Sequence, residues 1–303
     1  MIVKSKFRNC LITIVVIGLI GCSHVPVESL VEQDTASIDP THPPALVELN
    51  FESHGKRLNG ILYQANGAGP HPTVVLLHGY PGNEKNLDIA QSLRRSGFNV
   101  LFFHYRGAWG SGGDFSFSNV IEDVASALDF LRTKNTELRV DENHLLLIGH
   151  SMGGFAALQG AARDDAVKCV AGIAPADVGV IAKLAQTDAD FADSFASGAA
   201  DLTMLKGWNG QALLSDLQAH ADDFGVAALA PRLSGKSVLL VAGDKDSVIA
   251  PDTFHAPMVA AYQAQGDIML THKIITGDHS FSWSRLALID LVLDWAQACE
   301  GTR

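Results

Sequence analysis

The chain alternates between short apolar runs and longer amphipathic segments over most of its 303 residues. The apolar runs are continuous, which is typical of strands covered on both faces in a mainly parallel sheet. They lie at residues 73–77, 99–103, 145–148, 169–174, 237–241 and 271–275. Helical periodicity occurs at residues 86–95, 120–131 and 286–298. This alternation predicts right-handed β-α-β units and a doubly wound α/β fold.

Two segments depart from the alternation. Residues 46–51 and 58–63 flank a short polar turn, which predicts an antiparallel hairpin ahead of the parallel strands. Residues 177–231 have helical composition without a strong strand pattern, and we expect a helical cap inserted over the sheet's C-terminal edge. Helices are expected there near residues 178–184 and 211–217. An ordinary crossover lengthened by extra helices is the alternative.

The first residues have the pattern of a targeting signal. Lys4, Lys6 and Arg8 precede an apolar run at residues 11–20, which is too short for a comfortable transmembrane helix. The run ends in Leu19-Ile20-Gly21-Cys22, which resembles the lipobox of bacterial lipoproteins. That resemblance implies that Cys22 is lipidated and becomes the new N-terminus. An ordinary secretory signal with an incidental cysteine is the alternative.

The same resemblance implies a division of the chain. Residues 1–22 would be a lipoprotein signal peptide, residues 23–45 a proline-containing flexible tether, and residues 46–303 the folded domain. Ser23, rather than an aspartate, follows the cysteine. This is similar to lipoproteins of the Gram-negative outer membrane, so we expect a lipid anchor on its periplasmic face. Retention at the inner membrane is the alternative.

Composition limits the kind of domain and the kind of partner that the chain can have. A chain that is 47% hydrophobic can bury one large core. Its formal net charge of −11 argues against nucleic acid as a partner. Apart from Cys10 and Cys22, the cysteines are Cys169, expected as a buried small hydrophobe, and Cys299, expected beyond the last helix. A disulfide between these two is the less favoured alternative.

A Gly-x-Ser-x-Gly pattern marks the candidate nucleophile. Gly149-His150-Ser151-Met152-Gly153 lies where the run at residues 145–148 meets a helical segment of small residues. Glycines two residues to either side of the serine remove Cβ atoms that would collide with the strand and the helix. This context predicts a nucleophile elbow at Ser151. A turn serine with only a structural role is the alternative.

A serine hydroxyl needs a base, usually a histidine, and an acid that orients the base. His279 lies between the last predicted strand and the last helix, and it fits the base better than His150, His255 or His272. Asp244 and Asp246 both follow the run at residues 237–241 and are candidates for the acid. No Cys-x-x-Cys or His-x-x-x-His pair occurs, so we expect neither a metal nor another cofactor.

These motifs, in the order serine, aspartate, histidine, resemble those of the α/β-hydrolases from Leu46 to Cys299. The segment at residues 105–113 looks like the Arg-Gly-x-Gly-x-Ser loop of members grouped with the prolyl oligopeptidase catalytic domain. The resemblance implies that Asp246 is the acid, with Asp244 as the fallback. Arg106 in that loop is expected to brace the structure, and binding of a substrate carboxylate is the alternative.

The resemblance also implies an oxyanion hole of two backbone N–H groups. The first is that of Met152. The second comes from the His-Gly loop at residues 78–82, where Pro81 has no N–H and Tyr80 is the natural donor. His78 is expected to brace this loop, and a second base is the alternative. Three aromatic side chains are candidates for an acyl pocket, with ordinary packing as the alternative: Tyr80, Trp109 and Trp208.

Taken together, the sequence predicts a serine hydrolase that cleaves carboxylic esters through an acyl-enzyme, with Ser151, Asp246 and His279 as its triad. The substrate would be a small-molecule ester or a short peptide. A peptidase or amidase with the same triad is the first alternative, and acidic residues of the cap could then anchor a peptide terminus. A non-catalytic envelope protein on the same fold is the second.

Overall fold

The computed structural model describes residues 34–35 and 37–300. The expected signal peptide at residues 1–22, with Cys22, and most of the expected tether lie outside this range. Among the residues that are described, no helix is both long enough and apolar enough to cross a bilayer. The division of the chain at residues 22 and 45 stays a prediction.

One eight-stranded sheet forms the centre of the fold, in the order β1-β2-β4-β3-β5-β6-β7-β8. Its strands are β1 Ala45–Ser53, β2 Lys56–Gln64, β3 His71–Leu77, β4 Asn99–Phe103, β5 Val140–His150, β6 Cys169–Ile173, β7 Ser237–Gly243 and β8 Met269–Ile275. The hairpin β1-β2 and the pair β2-β4 are antiparallel, and the remaining pairs are parallel. The predicted α/β fold with an N-terminal antiparallel hairpin is confirmed.

The sheet order reverses between β4 and β5, on either side of β3. In an open α/β sheet, a ligand crevice forms at the carboxyl ends of the strands where the order reverses. The loops after β3 and β5 therefore meet at the place where a site is expected.

Nine α-helices and one 3₁₀ helix lie in the described part of the chain. The helices are α1 Leu87–Arg95, α2 Phe117–Thr133, α3 Asn135–Leu138, α4 Met152–Ala161, α5 Val178–Thr187, α6 Ala189–Ala199, α7 Gly210–His220, the 3₁₀ helix Ala227–Leu233, α8 His255–Gln265 and α9 Arg285–Glu300. Side-chain caps start α2, α5, α6 and α7, each accepting a hydrogen bond from the backbone N–H three residues on. These caps are Ser116, Asp177, Asp188 and Asn209.

Two apolar layers cover the sheet. Successive residues of β3 point to opposite faces, so that Val75 and Leu77 pack with α2 and α4 while Val74 and Leu76 pack with α1 and α9. Burial on both faces explains why β3, β4, β6 and β7 are continuous apolar runs in the sequence. The expectation of two covered faces is wrong for the run at residues 271–275, because β8 lies at the edge of the sheet and most of its residues are exposed. The 177–231 segment forms α5, α6, α7 and the 3₁₀ helix, and these pack on the side of α2 and α4.

The structure differs from the prediction at Cys169 and Cys299. Cys299 lies within α9, which continues to Glu300, and not beyond the last helix. Cys169 of β6 is buried as expected, but it forms a disulfide with Cys299, with their Cα atoms 6.4 Å apart. The expectation that these two cysteines are not joined by a disulfide is therefore wrong. The extra turn of α9 packs over the sheet beside β6 and brings the second cysteine within reach.

We predict that Cys299→Ser lowers the free energy of unfolding by about 2–4 kcal/mol, because the disulfide restricts the unfolded chain over a long loop. Urea denaturation of the wild type and the variant measures the difference. Dithiothreitol should destabilise the wild type by a similar amount and leave the variant unchanged. Equal stability of the two oxidised proteins would contradict this prediction.

Candidate active site

Ser151 occupies the sharp turn between β5 and α4, with φ 58° and ψ −121°. A non-glycine residue with these angles is strained, and strained residues are enriched at functional sites. The turn is possible because Gly149 and Gly153 have no side chains: a Cβ on Gly149 would overlap the Gly153 carbonyl, and one on Gly153 would overlap that of Leu77. The sequence pattern thus forms the tight elbow that was predicted from it.

Main-chain hydrogen bonds fix this elbow to the next strand. The Ser151 N–H donates to the Ile173 carbonyl at 2.9 Å, and the Ala176 N–H donates to the Ser151 carbonyl at 3.1 Å. Met152 is the first residue of α4, so its N–H has no acceptor within the helix. The helix dipole adds positive potential at this end. An anionic oxygen beside Ser151 would be stabilised there.

His279 and Asp246 form a close pair across two loops. The Nδ1 atom of His279 lies 2.7 Å from Oδ2 of Asp246, and Oδ1 of Asp246 accepts the N–H groups of Val248 and Ile249, both at 2.8 Å. Burial raises the pKa of Asp246, but the hydrogen bonds from His279, Ile249 and Val248 outweigh it and lower the pKa. The ionised carboxylate holds His279 in one orientation, with Nδ1 as the donor.

The second carboxylate of this loop has a different role. Asp244 Oδ1 accepts the N–H of Gly277 at 3.1 Å, and its carboxylate lies 3.5 Å from the Lys245 ammonium. It therefore joins the loop after β7 to the loop after β8. The structure brings Asp246 to His279, and Asp244 shapes the turn beside them.

Ser151 and His279 line the same cavity, although no hydrogen bond between their side chains is present among the described residues. Hydrogen bonds between catalytic groups are often long in ligand-free proteins. His150 fixes the loop that carries His279, since its Nε2 lies 2.8 Å from the His279 carbonyl and donates to it. Burial lowers the pKa of His150 to about 4, so its ring is neutral near pH 7. Sequence reasoning missed this positioning role.

The loop after β3 passes close to the nucleophile. A Cβ on Gly79 would lie 3.0 Å from the Cβ of Ser151, and Tyr80 lines the cavity. His78 braces the loop: its Nδ1 donates to the Gly79 carbonyl at 2.8 Å, and the Tyr105 hydroxyl donates to the His78 carbonyl at 3.0 Å. Burial lowers the pKa of His78 to about 3, which makes it a neutral structural residue and not a second base.

Arg106 also forms structural hydrogen bonds. Its Nε donates to Asp123 Oδ1 at 2.6 Å, and its backbone N–H donates to Oδ2 of the same carboxylate at 2.7 Å. Burial raises the pKa of Asp123 despite these bonds. Arg106 is buried and does not line the cavity, so it is not available there to bind a substrate carboxylate.

The cavity has a volume of about 670 Å³ and is mostly apolar. Its lining comprises Tyr80, Phe117, Ser151, Met152, Ala176, Val178, Ile181, Leu184, Phe191, Phe195, Val248, Ile249, Thr253, Phe254 and His279. No Asp, Glu, Lys or Arg is among these lining residues. Nor does any group of three or more His, Cys, Asp and Glu side chains suited to a metal ion occur in the described ranges.

Of the three aromatic residues expected in an acyl pocket, Tyr80 alone lines the cavity. Trp208 is buried behind it and donates from Nε1 to the Tyr80 hydroxyl at 3.0 Å. Trp109 donates to the Pro81 carbonyl at 2.9 Å and supports the loop. Sequence reasoning missed Phe191 and Phe195, whose spacing of four residues on one helix face could have indicated them.

Several known proteins are similar to this chain. A thiohydrolase, apmlB of Arthrinium phaeospermum, is 30% identical over 128 residues, which is 41% of each chain. The uncharacterized protein YfhR of Salmonella typhimurium is 28% identical over 158 residues, 50% of this chain and 52% of that protein. The matches span about half, or less, of the length of these relatives.

Solved structures share the fold. Est1E from Butyrivibrio proteoclasticus superposes with a TM-score of 0.65 at 18% identity, covering 84% of this chain and 99% of that one. The Pyrococcus horikoshii acylaminoacyl peptidase gives a TM-score of 0.65 at 15% identity, covering 84% of this chain and 41% of that one. A sequence profile of the alpha/beta hydrolase family matches residues 74–291, more than half of the chain, and this protein therefore belongs to that family.

Proposed function

We propose that the protein is a serine hydrolase that cleaves carboxylic esters through an acyl-enzyme intermediate. The observation that carries the proposal is that His279, paired with Asp246 behind it, and the strained Ser151 elbow line one cavity. A histidine held by a carboxylate beside a serine is the arrangement that activates a hydroxyl as nucleophile.

In the first step, Ser151 Oγ forms a bond to the ester carbonyl carbon, and His279 Nε2 takes the hydroxyl proton. Asp246 stays ionised and stabilises the imidazolium through the Nδ1 hydrogen bond. His279 then returns the proton to the leaving alcohol oxygen as the C–O bond breaks. Water, deprotonated by His279, hydrolyses the acyl-Ser151 ester, and the proton returns to the serine oxygen.

The negative charge that develops on the carbonyl oxygen needs donors already in place. We assign them to the backbone N–H groups of Met152 and Tyr80. The position of Met152 at the start of α4 and the closeness of the Gly79-Tyr80 loop to Ser151 support this assignment. The supports behind the loop, from His78 and Tyr105, would keep the second donor in place.

The lining of the cavity favours an ester over a peptide with a free terminus. Recognition of an amino terminus needs a carboxylate, and the acidic residues Asp188, Asp190, Asp193 and Asp201 do not line the cavity. Asp188 instead caps α6 by accepting the Phe191 N–H at 3.0 Å. An uncharged substrate fits a lining that is apolar apart from the reacting groups.

We also propose that the mature protein is held at a bacterial membrane by a lipid on Cys22, most consistently at the periplasmic face of the outer membrane. The sequence supports this through the basic and apolar residues before Leu19-Ile20-Gly21-Cys22 and through Ser23. The disulfide fits an oxidising compartment such as the periplasm.

The nucleophile is tested with a fluorophosphonate probe on the purified protein. The wild type should be labelled and should hydrolyse p-nitrophenyl butyrate, and Ser151→Ala should lose labelling and at least about 10⁴-fold in kcat. Aminoacyl-p-nitroanilides should turn over far more slowly than the esters. Labelling with turnover of anilides alone would favour a peptidase, and a folded wild type that is not labelled would favour a non-catalytic protein.

The acid is tested by a matched pair of variants in one loop. Asp246→Asn should lower kcat by about 10³–10⁴-fold, because an amide cannot hold His279 in the same tautomer or stabilise its charge. Asp244→Asn should cost far less, since Asp244 contacts backbone and not His279. Ester turnover is measured for both variants, with their thermal stabilities compared as a check on folding, to identify which aspartate is the acid. A larger loss for Asp244→Asn would overturn the assignment.

The anchor is tested by expressing the full chain in a Gram-negative host fed with alkyne-palmitate. The wild type should take up the label and sediment with outer-membrane vesicles, whereas Cys22→Ser should be unlabelled. Cys10→Ser serves as the matched control and should behave as the wild type. Equal labelling of the wild type and Cys22→Ser would rule out lipid attachment at this position.

A further inference from the structure

Two cavities in the described structure share a wall of aromatic side chains. A second depression of about 260 Å³ lies next to the candidate active-site cavity and is lined by Tyr80, Phe191, Ser194, Phe195, Gly198 and Leu202. Three of these residues, Tyr80, Phe191 and Phe195, also line the active-site cavity. Side chains that border both spaces stand between them. We call these three residues the aromatic partition.

The α6 side of the partition is a pair of stacked rings. Phe191 and Phe195 lie one helical turn apart, with ring centroids 5.8 Å apart and planes inclined by 29°. Both are half-buried, and among the residues of α6 only Ala199 is fully buried. Shortening one of these side chains would therefore remove part of the wall with little effect on the core.

The other side of the partition is fixed. The Tyr80 ring packs against Phe117 at a centroid distance of 5.8 Å, and its hydroxyl accepts the hydrogen bond from the buried Trp208 indole. Phe195 meets Tyr80 with centroids 6.5 Å apart at an angle of 61°. The Tyr80 side belongs to the loop beside the nucleophile, so only the α6 side can be changed without disturbing that loop.

The lining also separates the reacting groups from an apolar wall. Ser151 and His279 carry the chemistry, whereas α5 and α6 supply Ile181, Leu184, Phe191 and Phe195 to the same cavity. An acyl group bound to Ser151 would lie against this wall. Methylene groups placed there gain burial, and charged or strongly polar groups would lose hydration without a partner.

We infer that the acyl group is an apolar chain whose length is limited by the aromatic partition, and that the second depression beyond the partition is where the end of a longer chain would lie. This inference rests on the proposed ester hydrolysis at Ser151. Phe195 is the residue that separates the second depression from the cavity, because it meets Tyr80 across the boundary and also stacks on Phe191.

The test compares wild type and Phe195→Ala on p-nitrophenyl esters from acetate through octanoate to hexadecanoate. In the wild type, kcat/KM should rise with chain length and then fall once the chain reaches the partition. In Phe195→Ala, the ratio of kcat/KM for hexadecanoate to that for butyrate should rise at least about tenfold, since each methylene that finds room can contribute that much.

Phe130→Ala is the matched control. Phe130 is a half-buried phenylalanine on α2 that stacks on Phe51 with centroids 5.2 Å apart and lines neither cavity. The Phe130→Ala variant should have lower thermal stability and the same dependence of kcat/KM on chain length as the wild type. Phe195→Leu, a smaller change, should shift the profile in the same direction as Phe195→Ala but less.

A second measurement reads the length limit without catalysis. Calorimetry measures the binding of n-alkyl methyl ketones to Ser151→Ala and to Ser151→Ala/Phe195→Ala. Long-chain ketones should bind weakly to the first variant and about tenfold more tightly to the second, in which Phe195 is shortened. If the wild type lacks labelling and turnover but ketone binding follows this pattern, the proposed reaction fails and the length limit stands. A profile that Phe195→Ala leaves unchanged, or lowers equally at all lengths, overturns the inference.

Discussion

The close approach of backbone at the β5–α4 turn is the constraint on which the site depends. Ser151 has positive φ, and the turn packs so tightly that neither Gly149 nor Gly153 could carry a side chain without meeting a carbonyl. The strain is held because the Ser151 N–H donates to the last residue of β6, Ile173, and the Ser151 carbonyl accepts the N–H of Ala176 in the segment after β6. A relaxed turn would release the strain and move both the hydroxyl and the first N–H of α4 away from the cavity.

Differences in burial and hydrogen bonding give residues of the same type different roles. In the loop after β7, Asp246 is buried and directed at His279, while Asp244 is more exposed and bonds the backbone of the neighbouring loop. The histidines are divided in the same way. His78 and His150 are buried, and burial lowers their pKa values to about 3 and about 4, so they stay neutral and serve as scaffolding. Environment, and not residue type, sets each role.

Much of the sheet could be predicted because strands buried on both faces leave continuous apolar runs. The run at residues 99–103 coincides with β4, but β5 begins at Val140, five residues before its predicted start. The residues from Asp141 to His144 are polar and partly exposed, so hydropathy could not mark them as strand. α6 was missed for a similar reason, because its small and acidic residues bury little surface and its start depends on the Asp188 cap.

The geometry of the candidate site was more predictable than its surroundings, since the Ser151 elbow, Asp246 and His279 each follow a strand in a fixed order. The partners that orient them were not, because the His150 bond to the His279 carbonyl and the Trp208 bond to Tyr80 join residues 129 and 128 positions apart. No local pattern encodes such pairs. The pairing of Cys169 with Cys299 is of the same kind, since it depends on where the end of α9 comes to rest on the sheet.

That disulfide has a consequence for the covalent integrity of the site. The ring it closes spans 130 positions and contains α5, α6, α7 and the loops that carry Asp246 and His279, while Ser151 lies just outside it. A protease that cuts once in the exposed surface of α6 would produce two polypeptides, one with the serine and one with the aspartate and histidine. Because the cut falls inside the ring, the two pieces would stay joined as a single oxidised molecule.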